Sequence, residues 1–107
     1  MKLPAPVLLV ATLSLGGCAS LIQNASISEA YRHYDLQQYE RTLALISQAE
    51  NADTMSAEAK AELTYLKAKT YERLGKSGIA HTHYEYLARE HSSSQYGYLA
   101  TRRLTAR

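Results

Sequence analysis

Cys18 is the only cysteine in the 107 residues. A lone thiol has no disulfide partner and is free to cross-link unless something consumes it. The four histidines are the next candidates for chemistry. His81 and His83 lie two apart, about 200° around a helix, whereas a helical metal pair needs i, i+4 spacing so that both rings face one ion. His33 and His91 are isolated in sequence. All four read as structural or solvent-exposed residues, and no metal site is expected. Ser92, Ser93 and Ser94 lack the Gly-x-Ser-x-Gly surroundings of a nucleophile elbow and read as a loop and helix cap. Gly75-Lys76-Ser77-Gly78 is too short for a phosphate-cradling loop. Glu58, Glu62, Glu72 and Glu85 are scattered among lysines and arginines, the pattern of a solvated mixed-charge face. No catalytic constellation emerges. The chain reads as a non-enzyme without a bound cofactor.

The residues before Cys18 explain the thiol. Lys2 is followed by an apolar run from Val7 to Leu15. A run that short falls well below the ~20 residues of a membrane-spanning helix. A positive start, a short apolar stretch and small residues at its end make an export signal. A buried N-terminal helix is the alternative, but Pro4 and Pro6 oppose a long helix and Gly16-Gly17 would end one. Leu15-Gly16-Gly17-Cys18 resembles the lipobox of bacterial lipoproteins: an aliphatic residue, two small residues, then cysteine. The resemblance implies that residues 1–17 are a signal peptide that is removed. It also implies S-diacylglycerol on the Cys18 thiol and an N-acyl chain on the new amino terminus. Lipidation would consume the thiol and leave the mature chain without a disulfide. Each buried CH₂ contributes ~0.8 kcal/mol, so two or three chains would hold the protein at the membrane. In Gram-negative lipoproteins an Asp after the cysteine retains the protein at the inner membrane. Ala19 therefore implies the outer membrane, on its periplasmic face.

Cleavage before Cys18 leaves 90 residues, with 11 basic side chains (12 less Lys2) against 10 acidic ones. A balance so near neutrality does not suggest a nucleic acid partner. Residues 18–27 read as the lipidated cysteine and a short polar tether, and 28–107 as the folded domain. Nine extended residues reach about 30 Å at ~3.4 Å each, so the domain would sit close to the membrane. The domain is expected to be all-α. It has no proline, few glycines, and an abundance of Ala, Leu, Glu, Gln, Lys and Arg. Helices are expected over 27–36, 39–51, 56–74 and 77–90. A fifth should end near Thr105. Ser26 with Glu29 suggests a capping box for the first, Ser56 a cap for the third, and Ser92 with Gln95 a cap for the fifth. Gly75 should end the third in a left-handed turn.

An internal repeat is visible at an offset of 38 residues: Thr42, Ile46 and Ala49 align with Ala80, Tyr84 and Leu87. The pattern resembles the tetratricopeptide repeat, a helix–turn–helix unit of about 34 residues. Ala68, Tyr71, Gly75, Ala80 and Tyr84 fall at that family's small, aromatic, glycine, alanine and aromatic positions. Leu87 and Ser92 depart from its alanine and proline. In the first copy Ala30, Tyr39 and Ala49 fit, while Gln37, Thr42 and His33 depart from glycine, alanine and aromatic. The resemblance implies a short array of about two and a half repeats and five helices, packed through Ala68, Gly75, Ala80 and Tyr84. An unrelated small helical bundle is the competing reading. Repeats usually need three or more units, so a second copy of the chain (a homodimer) or another protein would complete the array.

Nine tyrosines, with no Phe and no Trp, are the compositional oddity. A tyrosine buries a ring but keeps a hydroxyl that needs a partner. In the tetratricopeptide family the first helix of each pair lines a concave groove that takes a partner's segment. By that resemblance Tyr31, Tyr34, Tyr65 and Tyr71 are the groove candidates, with core packing the plainer reading for each. Tyr96 and Tyr98 are two apart, so one of them should be exposed. Arg89, Arg102, Arg103 and Arg107 read as complements to helix dipoles. The expected function is a lipid-anchored adaptor for an envelope protein partner in assembly, secretion, pilus or polysaccharide-export machinery, with a pilotin-like escort as one version. A self-associating structural lipoprotein without a dedicated client is the alternative. Replacing Cys18 with Ser should abolish both lipidation and membrane fractionation; a Cys18→Ser protein that still sediments with membranes would refute the anchor.

Overall fold

The computed structural model describes residues 24–52 and 55–106. The stretch expected to be a signal peptide, the lipobox-like Leu15–Cys18, the start of the expected tether, Asp53-Thr54 and Arg107 lie outside the described residues. The described residues form five α-helices and no strand: α1 (24–35), α2 (Tyr39–Asn51), α3 (Ala57–Arg73), α4 (Ser77–Glu90) and α5 (Gln95–Thr105).

The helix starts follow local hydrogen-bonding logic, with two corrections to the sequence reading. Ser56 caps α3 as expected, its hydroxyl accepting from the Ala59 amide at 3.1 Å. The cap of α5 is Ser94 rather than Ser92, through a 3.1 Å bond from the Tyr96 amide. Residues 24–27, expected in the tether, are already helical, so the Ser26–Glu29 capping box does not form. Glu29 instead pairs with Arg32 at 2.6 Å and His33 at 3.3 Å along α1. The i, i+3 and i, i+4 spacing that suggested a cap serves equally well for side-chain pairs on a helix surface.

The turns carry the repeat. Between α1 and α2, Gln37 N–H donates to Tyr34 O and Gln38 N–H to His33 O, both at 2.9 Å. Thirty-eight residues later, Gly75 N–H donates to Glu72 O at 3.0 Å and Lys76 N–H to Tyr71 O at 2.9 Å. Each pair of bonds closes a helix through a residue in the left-handed region. That residue is Gly75 at φ +78° in one unit and Gln37 at φ +63° in the other. The caps repeat at the same interval, from Ser56 to Ser94. So do the fully buried Ala30 and Ala68. Two helix–turn–helix units are therefore related by 38 residues, and α5 stands where the first helix of a third unit would stand.

Helix α3 is the shared element. Ala61 and Ala68 pack with Ala80, Tyr84, Leu87 and Ala100 of α4 and α5. Leu63 and Leu66, roughly opposite on the helix, pack with Ala30, Ile46 and Ala49 of α1 and α2. The buried Thr42, Thr64 and Thr70 satisfy their hydroxyls within their own helices, donating to Gln38 O, Lys60 O and Leu66 O at 2.7–2.9 Å. The buried residues of α2 are Thr42, Ile46 and Ala49, and those of α4 are Ala80, Tyr84 and Leu87, the same triplets that the 38-residue repeat aligns.

On α5, Gly97 and Ala100 face inward, while Tyr98, Thr101, Arg102 and Thr105 face solvent. Gly97 sits against the backbone at the end of α4. A methyl group there would overlap the His91 carbonyl, 2.7 Å from its carbon, and crowd Leu87 O at 3.1 Å. Gly97→Ala should therefore destabilise the fold by about 1–3 kcal/mol. Gln37→Gly should instead stabilise it by about 1 kcal/mol, by relieving the left-handed strain. Urea unfolding of both variants reads the two signs; a neutral Gly97→Ala would overturn the packing assigned to α5.

Candidate functional site

The first helices of the units each bring at least one tyrosine to a common side. Tyr31 and Tyr34 come from α1, Tyr65 from α3 and Tyr96 from α5. Tyr65 is the centre: its ring lies 5.9 Å from Tyr96 and 5.8 Å from Tyr84. Lys69, one turn along α3, places its ammonium 5.3 Å from the Tyr34 ring and 5.5 Å from the Tyr65 ring. Such cation–π contacts contribute roughly 0.5–1 kcal/mol at partly exposed sites. Tyr34 also meets Tyr39 edge-on at 5.6 Å, and its hydroxyl accepts from Arg73 Nε at 3.4 Å.

Carboxylates complete the face. Glu62 of α3 lies beside the phenols of both Tyr31 of α1 and Tyr96 of α5 and acts on each electrostatically. Glu72 accepts from the Tyr84 hydroxyl at 2.8 Å and pairs with Arg103, whose guanidinium lies 5.6 Å over the Tyr84 ring. Glu58 accepts from Ser94 at 3.2 Å. These three acids, expected among a solvated mixed-charge set, are instead engaged by named partners. Glu72 is held in part through the Tyr84 hydroxyl, which a Phe could not supply.

Burial and adjacent acids push the phenols up. Tyr31 is raised chiefly by burial and then by Glu62. Tyr84 is raised chiefly by burial and then by Glu72. Tyr65 is raised by burial, against the opposing charge of Arg103. Tyr96 is pushed up to about 12 by burial and Glu62. These four phenols therefore stay protonated and neutral.

Of the four groove candidates, Tyr31, Tyr34 and Tyr65 share this face and Tyr71 does not. Tyr71 lies about 120° round α3 from Tyr65 and stacks on His83 of α4, 5.7 Å away and 13° from parallel. The missing members are Tyr96, Lys69 and Glu62. For Glu62 and Lys69 the signal was present as the stripe Glu58, Glu62, Tyr65, Lys69, Arg73 at i+3 and i+4 steps along α3. Tyr98, at 61% exposure, is the solvent-facing member of the Tyr96–Tyr98 pair. The repeat-packing residues Ala68, Ala80 and Tyr84 are buried in the α3–α5 core, and Gly75 forms the turn.

His81 is exposed beside Glu85 at 3.5 Å, and His83 is half-buried on another side of α4. Among the described residues no group of three or more His, Cys, Asp or Glu side chains could hold a metal ion. No described helix is long and apolar enough to cross a membrane. Neither protein-family models, curated proteins nor solved structures give a match to the chain.

The tyrosine face has a pH signature. Above the ordinary tyrosine value of 10, an unfolded chain releases the Tyr96 proton while the folded chain keeps it until about 12. The unfolded state then binds fewer protons, so stability falls as pH rises through this window. Tyr96→Phe should shallow that fall in urea unfolding measured at a series of alkaline pH values. An unchanged slope would mean that Tyr96 is not held as described.

Proposed function

We propose that this chain is a lipid-anchored adaptor of the bacterial envelope. Its partner would be a protein bound on the face formed by α1, α3 and α5. The observation that carries this reading is the convergence of Tyr31, Tyr34, Tyr65 and Tyr96 from three different helices onto one partly exposed surface. Aromatic residues with polar tips are the side chains most enriched at binding surfaces. Several of these rings are pinned by Glu62, Lys69 and Arg73, so little ordering would be needed on binding. The anchor belongs to the proposal through Leu15-Gly16-Gly17-Cys18 alone. With Ala19 after the cysteine, the proposed location is the periplasmic face of the outer membrane. The tetratricopeptide likeness enters in the same way, through the 38-residue repeat and the small residues Ala30 and Ala68. On this reading the domain would act in an envelope assembly, secretion, pilus or export system, bringing a partner to the membrane surface without catalysing a reaction.

Site-specific photo-crosslinking in cells tests the reading. A photoreactive residue in place of Tyr34 should give a discrete adduct with another envelope protein. The same residue in place of Lys76, on the exposed α3–α4 turn, should not. An adduct containing two copies of this chain would favour the self-associating alternative. No adduct from position 34, or the same adducts from both positions, would sink the adaptor.

A further inference from the structure

A cleft lies on a different side of α3 from the tyrosine face. It has a volume of ≈ 390 Å³ and opens between α2, α3 and α4. Lys60, Thr64 and Lys67 form its α3 wall, on one side of that helix at i+4 and i+3 steps. His83 and Tyr86 of α4, and His91 just beyond it, form the opposite wall, and Glu50 closes the α2 end.

The charges do not cancel. Glu50 is held by Lys67 at 2.9 Å, with both side chains mostly shielded from solvent. That pair leaves Lys60 as the net charge of the cleft. Its donors include two ammonium groups, two imidazoles and the Tyr86 phenol. Thr64 donates its hydroxyl hydrogen to Lys60 O at 2.8 Å, leaving only lone pairs toward the cleft. His83 is half-buried and stacked on Tyr71. Burial first, and Lys67 second, lower its proton affinity against the pull of Glu50. A neutral imidazole there still offers an N–H. His91 packs edge-on to Tyr86 at 5.5 Å, so the two rings line the cleft together.

The donor type selects the ligand. Planar carboxylates are matched by the flat fork of arginine, and no arginine lines this cleft. Lysine ammonium groups and imidazoles are compact donors arriving from separate helices. That set suits a tetrahedral oxyanion. The cleft is also larger than one such anion, and the rings of Tyr86 and His91 supply apolar surface for an attached group. We propose that the cleft between α2, α3 and α4 binds a phosphate monoester, with Lys60 as its principal charge partner and His83, His91 and Tyr86 as hydrogen-bond donors. The site is independent of the tyrosine face.

The test uses the full-length chain in neutral detergent, titrated with phenyl phosphate and with inorganic phosphate. The ring signals of His83 and His91 are followed by NMR. Phenyl phosphate should give saturable shifts in both rings and bind more tightly than inorganic phosphate. Lys60→Gln, on an exposed side chain, should weaken it about tenfold, the loss of one charge-assisted contact; Lys76→Gln on the α3–α4 turn should not. A parallel arm places the chain in nanodiscs of phosphatidylcholine with or without phosphatidic acid. Shifts that appear only with phosphatidic acid would assign the phosphate to a lipid headgroup rather than a soluble ester. Absence of shifts in every arm, or an affinity indifferent to Lys60→Gln, would overturn the site.

Discussion

Everything in this small domain depends on α3 having two buried sides. Leu63 and Leu66 serve one core, and Ala61 and Ala68 serve the other. A helix of 17 residues so enclosed must be thin where neighbours approach most closely. That is why alanine and threonine, rather than larger side chains, occupy much of its length. The threonines fit because each hydroxyl returns its hydrogen to the preceding turn, so no unsatisfied group is buried. Removing α3 would leave two helix pairs, each with half a core.

The absence of Phe and Trp imposes a second constraint. Every large ring in the domain brings a hydroxyl with it, and a shielded hydroxyl needs a partner. The chain meets that need largely with charge. Glu62 lies beside Tyr31 and Tyr96, Glu72 serves Tyr84, and Arg73 serves Tyr34. The same hydroxyls that complicate packing thus tie α1 and α4 to α3 by directional contacts. Rings and charges are interleaved on the face instead of forming a greasy patch. This explains how so aromatic a surface can stand beside water in a chain of modest hydropathy.

Much of the helical layout was legible because its signals are local. Three residues per unit, Thr42/Ala80, Ile46/Tyr84 and Ala49/Leu87, exposed the repeat, and Ser56 and Gly75 marked the ends of α3. Other features needed the third dimension. Ser26 and Glu29 have cap spacing, yet the helix already runs through residue 24, and spacing alone does not separate a cap from a pair on a helix surface. Ser92 and Ser94 are both chemically able to cap α5, and the choice depends on where the chain turns. Tyr65 and Tyr71 both lie on a first helix, but a six-residue separation sends them to different sides. Glu62 looked like one acid among many; only the approach of α1 and α5 over α3 makes it the neighbour of two phenols.

The two turns that close the repeats are built alike but from unequal residues. Gly75 adopts its left-handed backbone freely, whereas Gln37 adopts the same shape with a Cβ in the way. Local stability should therefore be graded along the array. The α1–α2 unit opens at lower cost than the α3–α5 unit, so its amides would exchange with solvent first and α1 would be the first element to peel away under load. Strain at a single turn gives this short stack a soft end and a firm end, and fixes the direction in which it comes apart.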